Sequence, residues 1–185
     1  MALTPSNMLP LGTQAPDFTL PDVISGKEVT LADVVGPNGL LVMFICNHCP
    51  YVKHVQEQLV ALGRDYMDKG IGMVAISAND AEAYPDDAPD KMREEARKWQ
   101  YPFPYLYDES QQVAKAYDAA CTPDFYLFNN KLELVYRGQL DDSRPGNDIP
   151  VTGKDLRQAM DDLLAGNPIS PEQKPSMGCN IKWKL

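Results

Sequence analysis

Cys46 and Cys49 stand two residues apart at the end of an apolar run, with Asn47 and His48 between them and Pro50 behind. Thiols at this spacing can cycle between dithiol and disulfide, hold a metal ion, or simply fill a core. The cycle fits best. A two-residue spacer at a helical turn brings the sulfurs within bonding reach. The start of a helix adds unpaired N–H groups and the positive end of its dipole, both of which favour a thiolate. His48, once protonated, places a cation beside them. Cys46, at the turn, is then the exposed attacking thiol, and Cys49, one turn further in, is the buried resolving thiol. Asn47 joins the candidate substrate-binding residues. A structural zinc ion needs four ligands. The neighbourhood offers Cys46, Cys49, His48 and His54, and the chain has 2 histidines in all. No metal and no other cofactor is therefore expected. Mere packing fits poorly, since polar Asn47 and His48 sit where a core pair would need neither.

The elements that must position this motif are readable around it. Residues 39–45, Gly-Leu-Leu-Val-Met-Phe-Ile, are apolar without alternation, as expected of a strand covered on both faces. From Pro50, Val52, Val55, Leu59, Leu62 and Tyr66 recur at three- and four-residue steps, the mark of one helix face closed by Gly70. Residues 71–79 read as a second buried strand, 89–99 as an exposed helix, 104–108 as a short strand and 110–120 as another helix. Residues 124–128 and 132–138 form a hairpin with an Asn129-Asn130 turn. Thr152 and Asp155 resemble a capping box opening a last helix through Leu156, Met160 and Leu163. Helices alternating with strands, closed by a hairpin, predict an α/β sandwich: a central mixed β-sheet flanked by helices, with an N-terminal strand/hairpin extension. One domain is expected over residues 1–185, with its core at about 10–165 and a Pro-rich C-terminal tail at 166–185.

Bulk properties set the outer bounds. The 185 residues, 44% hydrophobic and 23% charged, describe a globular chain of ordinary domain size. A formal net charge of -9 argues against nucleic acid or an anionic membrane as partner. No stretch approaches a transmembrane length, and the first residues lack the basic-then-apolar pattern of a secretory leader. A cytoplasmic location is expected, where thiols are kept reduced and serve as reactive groups more often than as staples.

Longer stretches resemble a known family. Residues 12–22 (GTQAPDFTLPD), 29–34 (VTLADV) and 40–50 (LLVMFICNHCP) are similar to the opening of thioredoxin-like proteins of the alkyl hydroperoxide reductase/thiol-specific antioxidant group. Residues 121–128 (CTPDFYLF) resemble their later strand, and residues 136–145 and 178–184 resemble a peroxiredoxin-like branch with the same CNHC motif. The resemblance implies a thioredoxin-like sandwich. It implies that Cys46 attacks, Cys49 resolves, Pro123 is cis and faces the pair, and Thr122 offers its backbone to a substrate strand. Peroxiredoxins, however, carry P-x-x-x-T-x-x-C before the peroxidatic cysteine. With Cys49 in that role, Val42 and Cys46 stand where the proline and the hydroxyl belong, and no arginine lies near Thr122-Pro123 in sequence.

No carboxylate lies in the strand before the motif, although thioredoxins keep one beneath the dithiol. The hairpin returns Asp141 and Asp142 to the end of the sheet that bears Pro123, where either could shuttle a proton to Cys49; a solvated acidic loop is an equal expectation. Cys121 reads as a small apolar filler at a strand start, with disulfide exchange as its other role. Cys179 lies in a tail that Ile181 and Trp183 can anchor. It reads as inert cover, or as an extra resolving thiol if the tail folds back. The expected activity is thiol–disulfide oxidoreduction on a protein or small-molecule disulfide or thiol, served by a redox partner. A thiol-dependent peroxidase is the second expectation, and a redox-sensing or metal-binding module is the non-enzyme alternative.

Overall fold

The computed structural model describes residues 2–185. The chain runs β1 (Leu3–Pro5), β2 (Thr19–Pro21), β3 (Glu28–Thr30), α1 (Leu31–Val34), β4 (Gly39–Phe44), α2 (Pro50–Lys53) and α3 (Gln56–Tyr66). It continues through β5 (Ile71–Ser77), α4 (Pro89–Trp99), β6 (Tyr105–Tyr107), α5 (Gln112–Ala116), β7 (Cys121–Thr122) and β8 (Asp124–Phe128). β9 (Leu134–Gly138), α6 (Lys154–Ala165) and β10 (Met177–Asn180) complete it.

The unalternated apolar run is β4, the middle strand of a five-stranded sheet ordered β6-β5-β4-β8-β9. Every one of its residues is buried because both of its faces are covered. Leu41 and Met43 pack with α3, α4 and α6 on one side. Leu40, Val42 and Phe44 pack with α1, α5 and the N-terminal Phe18 and Leu20 on the other. β4, β5 and β6 run parallel, β8 runs antiparallel to β4, and β9 runs antiparallel to β8, so the sheet is mixed as expected. The two central parallel strands therefore end side by side, and whatever follows Phe44 and Ser77 is delivered to one edge of the sheet.

Val52, Val55, Leu59, Leu62 and Tyr66 are all buried, as their spacing predicts. Their helix is broken in two, however: the Val55 N–H bonds the Val52 carbonyl at 3.0 Å, a tight turn that separates α2 from α3. The expected capping box at Thr152 is also absent. Gly153 occupies the cap of α6, with φ +72°, and its N–H and that of Thr152 are received by Asp141. A capping box is found instead at Thr30 and Asp33, opening α1.

The C-terminal residues do more than trail. β10 lies between β1 and β7 in a separate three-stranded sheet, so the two ends of the chain pair with each other. Ile181 is buried in the second core cluster. No helix among the described residues is long and apolar enough to cross a membrane.

Candidate active site

The loop that leaves β4 carries the cysteine motif, and the loop that leaves β5 carries its chief polar partner. Asn79 follows β5, and the chain then forms a tight helical turn at Pro85–Asp87 that buries the Asp87 carboxylate. One Asp87 oxygen accepts the backbone N–H of Asn47 at 2.8 Å; the other accepts the Asn79 amide at 2.9 Å and pairs with Nδ1 of His48. Burial pushes the Asp87 carboxyl up, but these donors outweigh it and leave the group below the usual carboxylate range. His48 is raised in turn, chiefly by the hydrogen bond to Asp87 and against the effect of burial. Its ring stacks on Tyr84, with centroids 5.7 Å apart and planes 6° from parallel. The surroundings thus favour the imidazolium expected beside the thiols, and Asp87 is the carboxylate that meets its charge.

Asn47, expected among the substrate-binding residues, turns its side chain into the fold. Its side-chain amide donates to the Asp86 carbonyl at 2.9 Å, and its oxygen accepts the Tyr105 hydroxyl at 2.8 Å. With both ends of the amide engaged, it fastens the motif loop to the edge of β6.

Cys46 and Cys49 converge on Thr122. The Cys46 sulfur lies 3.5 Å from the Thr122 hydroxyl, and the Cys49 thiol donates to the Thr122 carbonyl at 3.4 Å. The Thr122–Pro123 bond is cis, as the resemblance implies. Cys46 is not exposed as the sequence suggests: its exposure is 1%, and that of Cys49 is 0%. The preference for the anion is also reversed. Hydrogen bonding to Cys49, burial and the Asp87 charge all push the Cys46 thiol well up. Cys49 is drawn down, first by the S–H of Cys46, with burial opposing, and then by Cys179, Thr122 and the Val52 N–H at the start of α2.

β7 does not offer an open edge. β10 pairs with it antiparallel, setting Cys179 opposite Thr122 and Asn180 opposite Cys121. The backbone position expected to take a substrate strand is therefore filled by the chain itself, because the tail folds back. Cys179 arrives with its sulfur 2.6 Å from that of Cys49. Cys121 is buried, directs its thiol to the Pro123 carbonyl at 3.7 Å, and is pushed strongly up by burial. It sits as core filler at a strand start.

Asp141 and Asp142 reach the end of the sheet that bears Pro123, as the hairpin geometry predicts, and Asp141 lines a small groove with Pro123, Tyr51 and His54. Neither bonds a thiol. Asp141 is fully used as an anchor, accepting the backbone N–H groups of Ser143, Thr152 and Gly153. Asp142 lies at the surface with Lys154 and Lys174 at 3.4 Å and a Gln139 donor at 2.8 Å. His54, weighed as a zinc ligand, bonds Ser143 at 2.7 Å. Cys46, His48 and Asp87 can be drawn within 4.8 Å of one another, but His48 and Asp87 are already paired directly. Arg144 enters the groove beside Pro123, yet its guanidinium is spent on the Asp141 and Ser143 carbonyls and on Gln139. It therefore does not supply the peroxide-holding cation that the sequence lacks.

Asp87 is the residue that sequence reasoning missed. It lies in the acid-rich stretch 86–90, where nothing distinguishes the one buried carboxylate from its solvated neighbours.

Residues 11–137 match the AhpC/TSA family. The chain belongs to that family. It is 61% identical to an uncharacterised conserved protein from Geobacillus kaustophilus, whose crystal structure superposes with a TM-score of 0.98 over 100% of this chain and 97% of that one. It is 26% identical over 124 residues to the thiol-disulfide oxidoreductase ResA of Halalkalibacterium halodurans, covering 67% of this chain and 65% of that protein, just under two thirds of the relative's length. The thioredoxin domain of a thiol-disulfide oxidoreductase from Bacteroides vulgatus shares the fold, with a TM-score of 0.61 at 20% identity over 72% of this chain and 91% of that one. The central mixed sheet flanked by helices is the thioredoxin-like sandwich.

Proposed function

We propose that the chain is a thiol–disulfide oxidoreductase whose Cys46–Cys49 pair exchanges with a protein or small-molecule disulfide, a separate redox partner resetting the couple. The observation that carries this is the convergence of both sulfurs on Thr122, beside the cis proline, at the end of the central parallel strands. The relatives named as thiol-disulfide oxidoreductases support it.

The electrostatics support one order of attack within the couple. We assign the attack on the substrate disulfide to Cys49, whose thiol is drawn down while that of Cys46 is pushed up, and the resolution of the mixed disulfide to Cys46. This order differs from the one expected from the sequence, where the turn position favours Cys46. Both sulfurs lie beneath the β7–β10 pair, so a bulky substrate reaches them once β10 has lifted. Donors that stabilise the Cys49 thiolate favour the reduced state. The couple is thus expected to be more oxidising than thioredoxin, above its ~-270 mV.

An insulin-reduction assay with dithiothreitol tests the function. Wild type is expected to accelerate turbidity, and Cys46→Ser and Cys49→Ser to lose the acceleration. A wild-type rate equal to the blank, with a Cys46–Cys49 disulfide that forms but does not turn over, would leave a redox-sensing module in its place.

A further inference from the structure

A third sulfur stands at the dithiol, and the fold holds it there. β10 occupies the edge of β7 immediately before Pro123, with Cys179 in register with Thr122. Gly178 permits that approach: a Cβ at this position would stand 2.0 Å from the Thr122 carbonyl oxygen. β1 closes the other edge, pairing Leu3 with Cys179 and Thr4 with Gly178, so the strand is held from both sides. Beyond it, the Lys182 N–H bonds Asn79 at 2.9 Å, and the Lys182 carbonyl accepts from Asp80 and Gln111, fixing the segment to the loop that follows β5. The result is a Cys49–Cys179 sulfur separation of 2.6 Å between two buried residues, not far beyond the ~2.05 Å of a disulfide bond. Cys121, one residue before Thr122, makes no such approach.

We propose that Cys179 is a third redox thiol, an internal partner that takes the disulfide over from the Cys46–Cys49 pair and forms a Cys49–Cys179 bond. β10 occupies the position a substrate strand would take, and Cys179 is the sulfur it presents. The inference rests on the reading that Cys46 and Cys49 cycle. Cys179, deprotonated, attacks the Cys49 sulfur of the Cys46–Cys49 disulfide. The Cys49–Cys179 bond forms as the Cys46–Cys49 bond breaks, and Cys46 leaves with the electron pair and takes up the proton that Cys179 released. One disulfide and one thiol stand on each side of the exchange, so it consumes neither oxidant nor reductant. The oxidised state then resides in a bond across 130 residues of chain, and Cys46 returns to the thiol form beside Thr122.

The test is disulfide mapping of the full chain after oxidation with diamide, with remaining thiols trapped in acid by N-ethylmaleimide. Wild type should give a faster-migrating monomer on a non-reducing denaturing gel, because a long loop compacts the unfolded chain while a Cys46–Cys49 bridge does not. The peptide pair containing Cys49 and Cys179 should be recovered from that band. Cys46→Ser should keep the fast band; Cys179→Ser and Cys179→Ala should lose it, with circular dichroism confirming that both variants fold. If wild type forms only Cys46–Cys49 and Cys46→Ser gives no fast band, the inference is overturned and the dithiol reading stands. If wild type forms no intramolecular bond at all, both fall.

Discussion

Cys49 gathers the donors of the site: the S–H of Cys46, Cys179, Thr122 and the Val52 N–H act against a burial that would otherwise keep it neutral. Its thiol is drawn to about 5. Thiolate absorbance near 240 nm should therefore persist well below neutrality and vanish in Cys49→Ser. Cys46→Ala, which removes the leading donor, should move the midpoint upward; an unmoved midpoint would reject this account. The linked effect on stability has a definite sign. A thiol lowered on folding stabilises the native state above its unfolded value of ~8.5, and that contribution is lost as pH falls through about 5. His48 works in the opposite sense. Raised by Asp87, it contributes fully below its unfolded value of ~6.5, and the contribution fades as pH rises through its higher native value. Asp87→Asn should lower the His48 midpoint seen by NMR and destabilise the protein by roughly 3 kcal/mol, since it breaks a buried ion pair from one side.

Among the elements, β10 and β8 carry the tests. Gly178→Ala drives a methyl group into the Thr122 carbonyl and should loosen β10 from β7. Alkylation of Cys46 and Cys49 should then quicken by at least tenfold, while the main sheet, judged by far-UV circular dichroism, stays intact. On β8, Asp124 shares the face of Tyr126, opposite the one that packs with Cys46 and Cys49, and burial pushes it up to about 7. An acid raised in this way favours the native state at low pH and loses that contribution as pH rises toward 7. Asp124→Asn should therefore gain stability relative to wild type from pH 4 to pH 8, by roughly 3 kcal/mol at the upper end, in urea melts.

The elements also show what the sequence could carry. β4, the α3 face and the hairpin were legible because their burial imposes a period or its absence over many residues. The dithiol was legible because its spacing is local, and the cis proline was reached by family resemblance. Asp87 and the seat of Cys179 were not legible, since both depend on loops meeting across the fold. Exposure of Cys46 was misread for the same reason: nothing near residue 46 shows that Thr122 comes back against its sulfur.

For the whole molecule, the small sheet β1-β10-β7 joins both chain ends to the reactive sulfurs. Deleting residues 175–185 should strip the cover from Cys49 and also remove the partner of β1. Wild-type activity toward bulky disulfides should be limited by displacement of β10, so the truncated chain is expected to reduce insulin faster than wild type while losing thermal stability. Equal rates would show that β10 is no barrier.

That arrangement gives the protein a remote gauge. The Asn180 N–H bonds the Ala2 carbonyl, and among the described residues Leu3 through Pro5 pair with β10 alone. Whatever pries the last strand away to reach the sulfurs must also release amides at the far beginning of the polypeptide. Deuterium uptake there would rise in step with substrate engagement, reporting chemistry at residue 49 from the opposite end of the polypeptide.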